Sequence, residues 1–235
     1  TSLAKDHVKW SNFADQLAEM LWPGPLTLVL ERKSESTLSR LLSAGLPSVG
    51  IRVPSNPIAR QLLVNLDRPI AAPSANLSGE VSATKPEHVI SRLTGKIEGI
   101  ISGNSSKIGL ESTIISFLPE PSILRFGAID ETDISETLGL DLKKKRKDAN
   151  ITAPGQLSSH YAPKGSIRLN SKVFEKNEVS LGFGEILCDL NLSREANLAE
   201  AAANLFDYLH RFDEMGAKNI AVSPIPEKGI GIAIN

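Results

Sequence analysis

Short apolar segments alternate with helical patterns along this chain, and this alternation limits most strongly the folds it can adopt. Apolar residues recur at helical spacing from Phe13 to Leu21, and Pro23-Gly24-Pro25 then ends that helix. The run from Leu26 to Leu30 follows as a strand, and strands and helices continue to alternate up to about residue 140. This order of elements predicts an α/β fold with a mixed, open, twisted sheet.

The individual elements follow from the same periodicities. Thr84 and Glu87 have the spacing of a capping box, which predicts that a helix begins there. Asn56-Pro57 predicts another helix start. Further strands are predicted at 49–53, 69–72, 99–102, 112–118 and 122–125, and a short helix at 37–42.

A charged segment divides the pattern in two. Residues 141–150 read DLKKKRKDAN, which is too charged to pack on any side and is typical of a linker. The basic run could instead bind RNA, but no aromatic residue interleaves it to stack on bases, so a linker is favoured. Strands are predicted again at 167–169, 179–183, 186–190 and 219–223, with a helix at 198–212. The predicted organisation is a domain at 1–140, a linker or lid at 141–165 and a small α/β domain at 166–235.

Composition and missing motifs exclude several classes of protein. The net charge of −1 gives no general argument for nucleic-acid binding. Cys188 is the only cysteine, and no apolar run is long enough for a bilayer span or a signal peptide. We therefore expect no membrane partner and a reducing compartment, most simply the cytoplasm. The four histidines lack metal-type spacing, and neither a Gly-x-x-x-x-Gly-Lys-Ser/Thr loop nor a Gly-x-Ser-x-Gly elbow occurs.

One loop has the composition of a binding site for a polar ligand. Residues 71–79 read AAPSANLSG, in which small side chains permit close approach to the backbone. Pro73 stiffens the entry, while Ser74 and Asn76 offer donors and acceptors at alternate positions. These residue types are also the commonest turn formers, so the loop taken alone is more often a turn.

Five other segments accompany this loop. They read WPGPLTLV from Trp22, VGIRVP from Val49, GLESTII from Gly109, LRFGAI from Leu124 and SHYAP from Ser159. Taken in chain order, the six segments extend over nearly the whole chain and resemble the threonylcarbamoyl-adenylate synthases of the Sua5/YrdC/YciO family. The segments from Asn197 and Gly229 resemble the additional carboxy-terminal domain of the Sua5-type members. The resemblance implies a YrdC-like domain, lacking its amino-terminal segment, followed by a small Rossmann-like α/β domain.

The resemblance also implies a reaction. L-threonine, bicarbonate and ATP would give threonylcarbamoyl-adenylate and pyrophosphate, the activated intermediate for modifying adenosine 37 of tRNA. Mg²⁺ would accompany ATP, and tRNA or the downstream threonylcarbamoyl-transferase would be the macromolecular partner. Attack of a carbamate on a phosphate brings two anions together and needs little acid–base chemistry, so no catalytic residue is assigned.

The threonine-binding residues implied by the resemblance are Arg52, Ala72 and Ser112. Arg52 shares a strand face with Gly50, where a guanidinium could hold a carboxylate through two parallel hydrogen bonds. Without the resemblance, an arginine on the solvent face of a half-buried strand is favoured. Ser112, likewise, would ordinarily be read as a turn or cap residue.

The resemblance implies a second set of residues for ATP. Arg125 lies at the end of a predicted strand and would take a phosphate or the ribose. Tyr161, in the predicted lid, would contact the nucleotide from the connector between the domains. The complete set is Ser48, Ser74, Asn76, Ser82, Arg125 and Tyr161.

The chain departs from the family pattern at its beginning. Members normally carry a Pro-Thr-(Glu/Asp)-Thr-x-Tyr-Gly-Leu motif and then a Lys-x-Arg motif ahead of the segment that corresponds to Thr1, and this pair of motifs does not occur in this chain. Three hypotheses follow. The chain is a synthase whose missing segment comes from elsewhere, a nucleotide- or RNA-binding pseudoenzyme without turnover, or a decayed fragment of such a synthase.

Overall fold

The computed structural model describes residues 1–140, 142–144 and 162–235. Its helices are α1 (Ser2–Lys5), α2 (Asn12–Leu21), α3 (Pro57–Leu66), α4 (Pro86–Leu93), α5 (Glu131–Leu138), α6 (Leu198–Glu214) and α7 (Gly231–Ile234). Its strands are β1 (Leu26–Glu31), β2 (Ser48–Ile51), β3 (Thr113–Ser116), β4 (Ser122–Arg125), β5 (Lys143–Lys144), β6 (Ser166–Arg168), β7 (Val179–Gly182), β8 (Leu190–Asn191) and β9 (Asn219–Val222). The predicted α/β class is confirmed.

The described residues form two compact units, and each is built on its own sheet. The first comprises 1–72 together with the described residues from 111 to 144, and its strands lie in the order β2-β1-β3-β4-β5. This sheet is mixed, because β1 and β3 are parallel while β2 and β4 run antiparallel to them. Its main core covers one face, where Leu26, Leu28 and Leu30 pack with apolar residues of α2 and α5.

The second unit is discontinuous in sequence. It comprises 73–110 and 162–235, and its four strands form a parallel sheet in the order β6-β9-β7-β8. Helix α6 supplies Phe206, Leu209 and Phe212 to its core, and Val81 from the earlier segment is buried in the same cluster. The segment 73–110 therefore packs with the carboxy-terminal part of the chain. The predicted boundaries at 140 and 165 stay predictions, since much of the linker lies outside the described residues.

Several predicted elements differ from the structure. Residues 69–72 and 99–102 are exposed and form no strand, because no described strand pairs with them. The predicted capping box at Thr84 is also wrong: Lys85 is the N-cap residue of α4, and Pro86 follows at the first helical position. Helix α5 was not predicted from the sequence, although Asp130 caps it with its side chain.

The structure can be compared with two features of the sequence, the single cysteine and the lack of a long apolar run. Cys188 is a free cysteine, partly buried beside Gly182. In the part of the chain that the structure describes, no helix combines the length and the apolar character needed to cross a membrane.

Candidate functional site

Four strand ends meet at one edge of the mixed sheet. Because β2 and β4 are antiparallel to β1 and β3, the ends of β2 and β4 lie beside the starts of β1 and β3. Arg52 follows the last residue of β2, Arg125 is the last residue of β4, and Ser112 immediately precedes β3. Three predicted ligand residues from distant parts of the sequence are thus brought to the same edge.

Ser112 is the centre of a hydrogen-bonded network at this edge. Its side chain is buried, and its hydroxyl lies 2.8 Å from Thr27 Oγ1 on the neighbouring strand. Arg125 donates from Nε to the Ser112 carbonyl oxygen at 3.0 Å and from Nη2 to the Ser112 hydroxyl at 3.0 Å. The Arg125 guanidinium also lies 3.7 Å from a carboxylate oxygen of Glu111. Both sides of Ser112 are therefore held in place by neighbouring strands.

Arg52 brings a second guanidinium to the network. Its Nε donates to the Gly24 carbonyl oxygen at 3.1 Å, which fixes the base of the side chain. The pKa of Arg52 lies below its ordinary value, first because partial burial disfavours the charged form and then because Arg125 is close, while Glu111 acts in the opposite direction. Arginine nevertheless stays protonated at neutral pH. Two cations and one carboxylate therefore leave this edge with excess positive charge.

The loop after β4 contacts the backbone at the start of β3 and so helps to fix the position of Ser112. Thr113 is fully buried, and its hydroxyl donates to the Ile129 carbonyl oxygen at 3.1 Å and accepts from the Ile129 N–H at 3.0 Å. Gly127 lies so close to the 111–113 backbone that a Cβ there would be 2.4 Å from the Glu111 carbonyl oxygen. The absence of a side chain at Gly127 is therefore required for the position of Ser112.

The other predicted residues of the first unit lie elsewhere. Ser48 pairs with Glu31 at the opposite end of β2, and four residues of strand separate it from Arg52 by about 13 Å. Ala72 is exposed in an irregular segment. Neither residue is joined to the Ser112 network by a contact that the structure describes.

The predicted nucleotide loop belongs to the second unit. Asn76 donates from Nδ2 to the carbonyl oxygens of Leu77 at 2.8 Å and Glu80 at 3.1 Å, and so closes the turn of this loop. Its Oδ1 is buried without a hydrogen-bond partner among the described residues. Ser74 is exposed, whereas Ser82 is buried and accepts a hydrogen bond at its carbonyl oxygen from His210 Nε2, 3.1 Å away. Tyr161 lies outside the described residues.

Sequence reasoning missed two members of the network. Thr27 lies diagonally across from Gly50, whose partner in the strand pair is Val29, and a Cβ on Gly50 would lie 3.2 Å from Thr27 Cγ2. Glu111 carries a carboxylate that lies 3.7 Å from the Arg125 guanidinium and acts electrostatically on Arg52. The available sequence signal for Thr27 was that it is a polar residue between Leu26 and Leu28 in an otherwise apolar strand, and in the structure it is less buried than either of them. Glu111 had no signal beyond its position beside Ser112.

Comparison with known proteins gives matches over the whole chain. The family model for Sua5, YciO and YrdC, described as "Telomere recombination", matches residues 1–127, and that for the "Threonylcarbamoyl-AMP synthase, C-terminal domain" matches 129–235. Among relatives, the threonylcarbamoyl-AMP synthase of Bacillus subtilis is 36% identical over 94% of this chain and 70% of its own length. That of Pyrococcus abyssi is 35% identical over 94% of this chain and 71% of its own length. The crystal structure of P. abyssi Sua5 complexed with L-threonine superimposes with a TM-score of 0.87 at 32% identity, covering 98% of this chain and 74% of that one.

Proposed function

This chain belongs to the Sua5/YrdC/YciO family, and from that premise we propose that it is an L-threonylcarbamoyladenylate synthase. It forms threonylcarbamoyl-AMP and pyrophosphate from L-threonine, bicarbonate and ATP. The observation that carries the proposal is the meeting of Arg52, Ser112 and Arg125 at one sheet edge. This edge lies in a chain that superimposes on a threonine-bound Sua5.

The chemistry of the proposed reaction matches a cationic site. The threonine amine combines with bicarbonate, with loss of water, to give a carbamate. A carbamate oxygen then attacks the α-phosphorus of ATP, an O–P bond forms, and the bond from that phosphorus to the leaving pyrophosphate breaks. Both reactants are anions, so the main requirement is to hold them together against their repulsion. Two guanidinium groups meet this requirement without a side chain acting as a base.

In this proposal Arg52 binds the threonine carboxylate. The hydrogen bond from its Nε to Gly24 leaves the two terminal nitrogens to form a paired interaction with the carboxylate. Ser112 lies beside the threonine, held by Thr27 and Arg125. Ala72 completes the proposed threonine contacts.

Arg125 is proposed to face a phosphate or the ribose of ATP. Its Nε and Nη2 hold Ser112, so it adds positive charge at a fixed place in the site. Asn76 contributes an amide oxygen that is buried without a partner among the described residues, as an acceptor for a nucleotide donor. The remaining proposed ATP contacts are Ser48, Ser74, Ser82 and Tyr161.

The network offers little to bind Mg²⁺ directly. Among the described residues no group of three His, Cys, Asp or Glu side chains could hold a metal ion. The carboxylate of Glu111 lies 3.7 Å from Arg125 and is already balanced by it. Mg²⁺ commonly binds through substrate phosphates and water, so we propose that it arrives with ATP, and we assign no step to it. The adenylate product is proposed to pass to the enzyme that modifies adenosine 37 of tRNA.

The test is to detect the product by mass spectrometry. The purified chain is incubated with ATP, Mg²⁺, L-threonine and bicarbonate, and threonylcarbamoyl-AMP is measured. Replacing Arg52 with glutamine should raise the KM for threonine roughly 10- to 150-fold, because it removes a charge-assisted pair worth about 1.5–3 kcal/mol. Arg60→Gln, an exposed arginine on α3, is the matched control and should leave KM unchanged.

The outcomes separate the alternatives. Product that forms only when a peptide carrying the family's amino-terminal motifs is added favours a synthase whose missing segment comes from elsewhere. Saturable threonine or ATP binding without product, with or without that peptide, favours the non-catalytic binding protein. A chain that neither binds threonine nor unfolds cooperatively favours the decayed fragment. Product formation that is insensitive to Arg52→Gln contradicts the assignment of the threonine carboxylate to Arg52.

A further inference from the structure

A cavity of about 400 Å³ lies wholly within the second unit. It is lined by Thr84 and Lys85 ahead of α4, by residues 105–107, and by one side of α6. Its volume falls in the range of small-molecule sites. None of its lining residues is among those proposed to bind threonine or ATP.

The lining carries more positive than negative charge. Among the described residues, Lys85, Lys107 and Arg211 line the cavity, together with a single carboxylate, that of Asp207. Lys85 Nζ lies 2.5 Å from Asp207 Oδ1, and Arg211 Nη2 lies 3.1 Å from Asp207 Oδ2. Asp207 therefore positions two of the cations, while Lys107 is an additional, exposed positive charge.

His88, which lies beside this carboxylate, is uncharged. His88 is buried, stacks on His210 with 3.8 Å between ring centroids, and lies 3.5 Å from Asp207. The Thr84 N–H donates to His88 Nδ1 at 3.3 Å, so this nitrogen acts as an acceptor and the ring is neutral. The pKa of His88 is lowered, first by burial and then by His210, which agrees with a neutral ring. The Asp207 charge is thus balanced by Lys85 and Arg211 and not by His88.

Two polar features at the cavity lack a partner of their own. The Thr84 hydroxyl is buried and forms no hydrogen bond with any described residue. Helix α4 begins at the cavity, and its N-cap residue Lys85 provides no side-chain cap. A buried hydroxyl without a partner is costly, and the first turn of a helix favours an anion. Both features favour an anionic ligand, which would accept hydrogen bonds from the Thr84 hydroxyl and from the first turn of α4.

We propose that this cavity binds a phosphate group of a small molecule, held by Lys85, Lys107 and Arg211 and by the Thr84 hydroxyl. A small molecule is favoured over RNA because Tyr208 is the only aromatic residue among the described residues of the lining, and the Arg211 guanidinium covers it at 5.1 Å. The inference is independent of the proposed synthesis, since it uses none of the same residues.

The test is an NMR titration of the ¹⁵N-labelled chain with pyrophosphate at constant ionic strength. Saturable shifts are expected for the amides of Thr84, Ser106 and Lys107. Lys107→Ala should weaken this binding about tenfold, since it removes one charge-assisted contact. The exposure of Lys107 means that its truncation leaves the core intact. Lys172→Ala removes another exposed lysine of the same unit, away from the cavity, and should have no effect.

Three results would overturn the proposal. The first is shifts that rise without saturation or that are unchanged in Lys107→Ala. The second is saturable shifts confined to the amides around Ser112 and Arg125, which would assign pyrophosphate to the sheet edge alone. The third is saturation of the cavity amides by a single-stranded RNA oligonucleotide but not by pyrophosphate.

Discussion

Replacing Gly127 with alanine should both destabilise the first unit and disturb the candidate site. The added Cβ would lie 2.4 Å from the Glu111 carbonyl oxygen, 2.4 Å from the Thr113 nitrogen and 2.6 Å from the Ser112 carbonyl carbon. These distances are roughly 1 Å shorter than ordinary contact, and all three atoms are backbone, so no side chain can rotate away. Overpacking of this kind costs about 1–3 kcal/mol. At roughly 2–4 °C per kcal/mol, the melting temperature should fall by about 2–12 °C.

The assay follows the fluorescence of Trp10 and Trp22, both of which belong to the first unit, during thermal unfolding. Gly50→Ala is the matched variant, because its Cβ would meet two side-chain methyl groups, that of Val29 at an ordinary 3.8 Å and that of Thr27 at 3.2 Å, and the latter can give way by a few tenths of an ångström. Its melting temperature should fall less. The affinity for threonine should also fall in Gly127→Ala, since the 111–113 backbone must move. The reasoning is refuted if Gly127→Ala melts within about 1 °C of the wild type, or no lower than Gly50→Ala.

Three further predictions concern stability. Arg168 lowers the pKa of Glu178 from the ordinary 4.5 to about 2. The ionised Glu178 therefore stabilises the folded state fully above pH 4.5, and this contribution is lost as the pH falls towards 2. Glu178→Gln should therefore unfold at lower urea concentration than the wild type at pH 7 but not at pH 2, and a difference independent of pH would contradict this. Thr113→Val leaves the buried N–H and carbonyl of Ile129 without their partner and should cost about 1–3 kcal/mol in urea unfolding; a value near zero would refute the role of this hydroxyl. Asn197→Ala removes the side chain that accepts two N–H groups at the start of α6 and should cost about 1 kcal/mol, which Asn197→Asp, still able to cap, should largely avoid.

Elements with strong periodicity could be predicted from the sequence, whereas those that depend on distant partners could not. Helix α6 begins at its predicted residue, Leu198, because Asn197 caps a long amphipathic run, and it ends two residues beyond its predicted end. Residues 69–72 and 99–102 have strand-like composition, but a strand needs a neighbour to accept its backbone hydrogen bonds, and composition does not provide one. Helix α5 carried the signals of Asp130 and Gly139 at its ends, but Ile134 and Leu138 make only a narrow apolar face.

In the candidate site, too, some features have a local sequence signal and others depend on distant partners. Arg52, Ser112 and Arg125 could be identified from the sequence, and the structure brings them to one edge, while their ligand roles stay predictions. The contact between Thr27 and Ser112 joins residues 85 positions apart and depends on the register of β1 against β3. A one-residue shift of that register would turn one of the two side chains to the opposite face. Such a contact follows from sheet topology and has no local sequence signal.

The discontinuity of the second unit affects how the chain would respond to cleavage. Residues 73–110 lie in the sequence between the two parts of the first unit, but they belong to the second unit. Val81 is buried in the carboxy-terminal core, and His88 stacks on His210. A protease cut anywhere between residues 145 and 161 would divide the covalent chain without dividing this core. The two fragments should therefore stay bound to each other under native conditions and separate only in denaturant, so the carboxy-terminal part is not an independently detachable module.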